Sequence, residues 1–242
     1  MIVLFTDFGS RGPYVSQMMA VLYRMAPGIP VVDLFSDVPP FDVKGASYLL
    51  AAYVEEFPPG TIFLGVVDPG VGGDRRAALV RVDDRWFVGP DNGLFNIPAR
   101  RGTEVEWWDV TWRPDRLSSS FHGRDLFAPV AACIAVGEMP AAEPQPIDLR
   151  LQPEWPDELP RVVYVDHYGN LVTGVRASSV PSSAIITVRG HSLSHARTFC
   201  QVEKGEAFWY ENANGLVEVA VNQGNASREL RIDVGDPINI IV

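Results

Sequence analysis

Up to residue 137 the chain alternates short apolar runs with segments of helical periodicity; from residue 161 onward one short strand-like run follows another. That change of rhythm restricts the fold more than any other feature, because a strand–helix alternation requires a sheet covered on both faces, whereas consecutive strands pair antiparallel. Residues 2–5, 30–35, 61–67 and 105–108 read as strands, and 77–82 with 86–89 as a hairpin across Asp83-Asp84-Arg85. Residues 13–25 carry Val15, Met18, Met19, Leu22 and Met25 on one side of a helix. Residues 43–57 form a second helix closed by Pro58-Pro59-Gly60, and 124–137 a third that stops at Gly137. The expectation is an α/β fold: an N-terminal α/β domain with a mostly parallel sheet over residues 1–140, and a smaller antiparallel β-barrel domain over 161–242. Between them, 141–160 is rich in proline (Pro140, Pro144, Pro146, Pro153, Pro156 and Pro160 in and around it) and reads as a linker. In the second half, strands are expected at 161–165, 171–175, 184–188, 207–211, 216–221, 229–232 and 238–242.

With 47% hydrophobic and 21% charged residues, the chain has material for a sizeable core. Its net charge of −10 offers no basic face, so nucleic acid and anionic membrane are not expected partners. Cys133 and Cys200 stand outside any metal-ligand spacing, and neither a leader pattern nor a bilayer-length apolar run is visible, so the expected location is the cytoplasm. The four histidines lack acidic partners at zinc-type spacing, and no metal is expected. His191 and His195 read as solvent-facing loop residues. G-x-G-x-x-G, P-loop and G-x-S-x-G patterns are all missing, which removes the main support for dinucleotide, triphosphate or serine-nucleophile chemistry.

The chemistry-bearing residues gather in turns. Asp68 opens DPGVG where an apolar strand ends, Arg75 follows shortly, and FHGRD supplies His122. Loops at strand ends of open α/β sheets are where ligands bind. A carboxylate, a guanidinium and an imidazole near such a crevice can hold and deprotonate water. Read singly, Asp68 is a turn cap, Arg75 a surface charge and His122 a helix cap; it is the three together that suggest a site. Asp7 in TDFG suits the vicinal hydroxyls of a ribose, or else caps a turn. Asp166 and Asn170 in DHYGN sit on a hairpin turn and offer contacts to an amine, a carboxylate or a base edge. The amides of 222–225 suit a purine edge, while Phe208, Trp209 and Tyr210 include at least two packing residues.

In order along nearly the full chain, TDFG (6–9), PFDV (40–43), DPGVG (68–72), GPDNGL (89–94), FHGRDLFAPVAA (121–132), DHYGNLVT (166–173) and NGLVEVAVNQGNA (214–226) resemble the S-adenosyl-L-methionine hydroxide adenosyltransferases, relatives of fluorinase and chlorinase. The resemblance implies an α/β domain plus a barrel-like domain, a homotrimer with active sites at subunit interfaces, and hydrolysis of S-adenosyl-L-methionine to adenosine and L-methionine without a cofactor. It implies that Asp68, Arg75 and His122 handle water, that Asp7 binds the ribose, that Phe41 packs beside sugar and methionine, and that Asp166 and Asn170 bind the amino acid and the base. Phe8, Tyr14, Asn92, Gly123, Tyr168, Trp209, Asn212, Asn222 and Ala226 complete the expected substrate contacts. Phe41, Tyr168 or Trp209 would face the sulfonium. Gly12 and Ala213 depart from acidic and serine residues common among relatives, both near the methionine end. A halogenase and a non-catalytic binder of adenosine or S-adenosyl-L-methionine are the alternatives.

Overall fold

A computed structural model describes residues 1–242, which divide into two compact units, Met1–Pro153 and Glu154–Val242. The first contains β1 (Ile2–Thr6), α1 (Tyr14–Met25), β2 (Val31–Phe35), α2 (Val43–Tyr53), β3 (Ile62–Val66), β4 (Ala77–Val82), β5 (Arg85–Pro90), α3 (Asn96–Arg101), β6 (Val105–Val110), α4 (Ala128–Ala135) and β7 (Ala142–Gln145). Its seven-stranded sheet has the order β2-β1-β3-β5-β4-β6-β7. Strands β2, β1, β3 and β5 run parallel, and β4, β6 and β7 join antiparallel. The sheet is therefore mixed rather than mostly parallel. The two-residue Asp83-Asp84 turn forces β5 antiparallel to β4, while β6 and β7, reached through segments containing α3 and α4, pair antiparallel with β4 and β6.

Side chains alternate across β1 and β3, and both faces are buried. Ile2, Leu4, Ile62 and Leu64 pack with Met18, Leu22, Val130 and Ala131 of α1 and α4. On the other side Phe63 stacks on Phe87, with ring centroids 5.1 Å apart. The chain leaves β1 toward β2 on one side and reaches β3 on the other. The ends of β1 and β3 thus form a topological switch point, the ligand crevice of such sheets.

The proline-rich stretch is not a free linker through residue 152. β7 pairs with β6, and Arg150 bonds Asp91, Asp109 and Gln145 at 3.2, 2.8 and 2.8 Å. The N–H of Gln152 donates to Asn96. Pro144 is tolerated because β7 is an edge strand, and Pro146 follows its end.

The second unit contains β8 (Leu159–Val165), β9 (Leu171–Arg176), β10 (Ile185–Val188), β11 (His191–Leu193), β12 (Ala207–Glu211), β13 (Leu216–Val221), α5 (Ala226–Leu230) and β14 (Asn239–Ile241). They form one antiparallel sheet, β12-β13-β9-β8, and another, β11-β10-β14. Single bridges join Arg161 to Pro237 and His195 to Trp209. Two expectations fail. Residues 229–232, expected as a strand, lie in and after α5, which starts because the Asn225 side chain accepts the Arg228 N–H at 2.9 Å. His191, expected in a loop, lies in β11, paired with Val188. No helix of the chain is long and apolar enough to cross a membrane.

Candidate active site

Asp7 stands one residue beyond β1 and Asp68 two beyond β3, so parallel pairing of the two strands delivers both carboxylates to one edge. Asp7 Oδ2 accepts the N–H of Phe41 at 3.3 Å. Phe41 itself has φ +68°, a conformation costly for an aromatic residue, and the residue is 75% exposed. Burial pushes the Asp7 carboxyl above its ordinary range, and the Phe41 N–H pulls it the other way. Asp42 anchors the next turn by capping α2 through the Gly45 N–H at 2.9 Å.

Asp68 is clamped by Arg75. Nε donates to Oδ1 at 2.8 Å and to Oδ2 at 3.0 Å, and Nη2 donates to Oδ2 as well. The same Nη2 lies 2.8 Å from Nδ1 of His122, and the guanidinium rests 5.1 Å from the centre of the Phe127 ring. Both partners are withdrawn from water, with side chains 5% (Asp68) and 11% (Arg75) exposed. Arg76 points elsewhere, pairing with Asp109 at 3.0 Å, so the structure distinguishes the two adjacent arginines. His122 enters the cluster from the segment before α4, where Gly123–Phe127 form a π-helical turn, a distortion frequent at functional sites.

A guanidinium has donors only, so Nδ1 of His122 must accept from Arg75. The neutral imidazole then carries its proton on Nε2. Burial first, and the neighbouring Arg75 second, hold the His122 pKa below its usual 6.5.

Asp7, Phe41, Asp68 and His122 line a cavity of about 540 Å³, within the range of small-molecule sites. Of the residues expected from sequence, Asp7, Phe8, Tyr14, Phe41, Asp68, His122 and Gly123 line it. Phe8, Tyr14 and Phe121 form a triangle of rings with centroids 5.3–5.8 Å apart. Asn92 does not line this cavity. Its amide donates to the Val67 carbonyl at 2.8 Å and its oxygen accepts the Leu94 N–H, which braces the end of β3 behind Asp68.

In the second unit Asp166 accepts the N–H groups of Tyr168 and Asn170 at 2.9 and 2.8 Å and the Asn170 amide at 3.0 Å. Gly169, at φ +87°, lies so close to the Asn225 amide that a Cβ would overlap it, and its carbonyl accepts the Ser227 N–H. The DHYGN and VNQGNA turns are thereby brought side by side. Tyr168 projects freely, 73% exposed.

Four other expected contacts are committed internally. Trp209, 2% exposed, sits in the core and donates to the Ala184 carbonyl at 3.0 Å, so it is not free to face a sulfonium. Asn212 accepts from the N–H groups of Asn214 and Leu216 and donates to Glu218, while Asn222 donates to the Val202 carbonyl. Ala226 is fully buried.

Glu218 is the residue that sequence reasoning passed over. Its carboxylate, buried on β13, accepts from Tyr210 and from Asn212 at 2.9 Å and also interacts with Asn170. Burial drives its pKa up, and burial with Glu218 drives the Tyr210 phenol up. The signal was present: one carboxylate inside the otherwise apolar run LVEVAV must find partners.

Residues 2–143 match the family model for the SAM hydroxide adenosyltransferase N-terminal domain, and residues 160–239 that for its C-terminal domain. The chain is 36% identical to the (R)-S-adenosyl-L-methionine hydrolase of Thermus thermophilus over 99% of both chains. It is 38% identical to that of Salinispora arenicola, over 97% of this chain and 95% of the relative. A crystal structure of an uncharacterized conserved protein from Thermotoga maritima superposes with a TM-score of 0.85 at 31% identity, covering 100% of each chain. With both domain models matched and relatives above one-third identity along nearly the whole length, the chain belongs to the SAM hydroxide adenosyltransferase family.

Proposed function

We propose that this protein hydrolyses S-adenosyl-L-methionine to adenosine and L-methionine by in-line attack of water on the ribose C5′. The observation that carries the reading is the buried Asp68–Arg75–His122 cluster, whose Asp68 and His122 line the same cavity as Asp7. Attack at C5′ expels a neutral thioether from a sulfonium, so the leaving group needs no acid and the catalytic burden falls on the nucleophile. Arg75 fixes Asp68 with its own donors and engages the Nδ1 lone pair of His122. With Nδ1 occupied and Nε2 protonated, His122 donates to the water and orients it, and Asp68 accepts the proton. Asp7 holds the ribose hydroxyls, and the Phe8–Tyr14–Phe121 rings and Phe41 exclude bulk water from the sugar and the sulfonium. Asp166, Asn170 and the exposed Tyr168 serve the amino-acid and base end; Asn92, Trp209, Asn212, Asn222 and Ala226 support the turns that carry the contacts.

No cofactor is required by this chemistry. The proposal extends to a cytoplasmic homotrimer with active sites at subunit interfaces, on the strength of the family resemblance. It also extends to a barrel-like second unit, a reading supported by the isolated Arg161–Pro237 and His195–Trp209 bridges between its two sheets. Asp68 also argues against a halogenase, because a carboxylate at the nucleophile position repels halide. Incubation with S-adenosyl-L-methionine in ¹⁸O-water tests the reading. Adenosine labelled at the 5′ oxygen is expected; unlabelled product, or none above background, refutes it.

A further inference from the structure

A second cavity, of about 330 Å³, lies behind the cluster. Gly72, Gly73, Arg75, Arg113, Ser119 and His122 are among its walls, and His122 alone belongs to both this chamber and the substrate cavity. Asp68 lines only the front space and Arg75 only the rear one. The ion pair and the 2.8 Å Arg75–His122 contact are therefore a partition one side chain thick. The rear walls set Arg75, Arg113, Ser119 and His122 beside Ala77, Leu117 and Leu126, whereas the front walls are richer in aromatic rings. Arg113 is tethered by donating to the Val110 and Trp112 carbonyls, both at 2.7 Å. Gly72, at φ +80°, packs so closely on the Ser119 carbonyl that any Cβ would overlap it, which holds the two loops of the chamber together.

Resting on the hydrolytic reading, we propose that this rear chamber is a water-binding site that supplies the nucleophile while substrate fills the front cavity. Each turnover consumes one water: its O–H bond breaks and the proton goes to Asp68. The C5′–O bond forms as the C5′–S bond breaks, and the electron pair of that bond returns to sulfur. Substrate that excludes bulk water from the front closes that route to refilling, and the chamber reaches the same imidazole from the other side. Water held there by guanidinium, hydroxyl and backbone groups crosses at His122 without displacing substrate.

The test fills the chamber from its rim with Ser119→Trp and, separately, Leu117→Trp, neither of which lines the front cavity. Two quantities are read: kcat and KM for S-adenosyl-L-methionine, and solvent exchange of the His122 ring N–H by NMR in adenosine-saturated protein. The expected result is at least a tenfold fall in kcat with KM and adenosine affinity unchanged, and a matching slowing of ring N–H exchange. Leu117→Ala should keep wild-type values of both. Folded tryptophan variants with wild-type kcat and exchange overturn the proposal, as does loss of adenosine affinity in step with kcat. Should the wild type form no adenosine, the hydrolytic reading fails, and the exchange measurement still decides whether the chamber is the water route.

Discussion

Replacing Arg75 by methionine isolates what the buried ion pair contributes to the fold. The substitution keeps a long side chain over Phe127 but strips Asp68 of all three of its guanidinium contacts, in a site where that carboxylate is 5% exposed. Leaving one partner of a buried pair uncompensated costs about 3–5 kcal/mol. For a protein of this size each kcal/mol lowers the unfolding midpoint by about 2–4 °C, so Arg75→Met should melt roughly 6–20 °C below wild type. The double variant Asp68→Leu/Arg75→Met removes both charges. A buried pair replaced by apolar residues of similar volume is often neutral, so the double should recover most of the loss, within about 2 kcal/mol of wild type. Calorimetry of the wild type, both single variants and the double gives the coupling directly. A single variant melting within about 1 °C of wild type, or a double whose loss equals the sum of the singles, would refute the claim that the pair is desolvated and mutually dependent. Adenosine affinity should survive in all four proteins, because Asp7 is held by a separate strand end.

The pH dependence follows from His122, whose folded pKa lies below the ordinary 6.5 because of burial and Arg75. The unfolded chain therefore binds the proton first, so the stabilisation from neutral His122 is complete above pH 6.5 and is lost as pH falls through the folded pKa. Protonated His122 cannot accept from Arg75, so kcat/KM should stay flat through neutrality and fall only below pH 6.5; an acid limb centred above that value contradicts the assignment. Asp7→Ala should weaken adenosine binding by roughly 10- to 100-fold, the worth of a charge-assisted hydrogen bond of about 1.5–3 kcal/mol, measured by titration calorimetry. Unchanged affinity removes Asp7 from the ribose site. Glu218→Leu should destabilise the second unit by about 1–3 kcal/mol for each donor orphaned among Tyr210 and Asn212. Glu218→Gln, which retains one acceptor oxygen, should cost less in denaturant titrations, and equal losses would show that the network is not what the carboxylate supplies.

The residues by themselves determined a good deal here. Apolar runs such as Ile2–Thr6 and Ile62–Val66, stopped by Asp-bearing turns, specify strands whose ends carry Asp7 and Asp68, because burial pattern and turn chemistry act among near neighbours. The ordered motifs pointed to the family for the same reason: each is a local turn with its own backbone demands. Strand direction beyond β5 was not legible, since pairing of β4 with β6 and of β7 with the edge depends on the docking of segments far apart in sequence. Motif spacing favoured Arg75 over Arg76 and the motifs grouped it with Asp68 and His122, but the contacts themselves, Arg75 to Asp68 and His122 and Arg76 to Asp109, come only from the fold. Trp209, Asn212 and Asn222 carry groups that suit a ligand, yet packing assigns those groups to Ala184, Glu218 and Val202. Sequence names the donors and acceptors a chain possesses; only the tertiary structure decides which of them are already satisfied and which remain to meet a substrate.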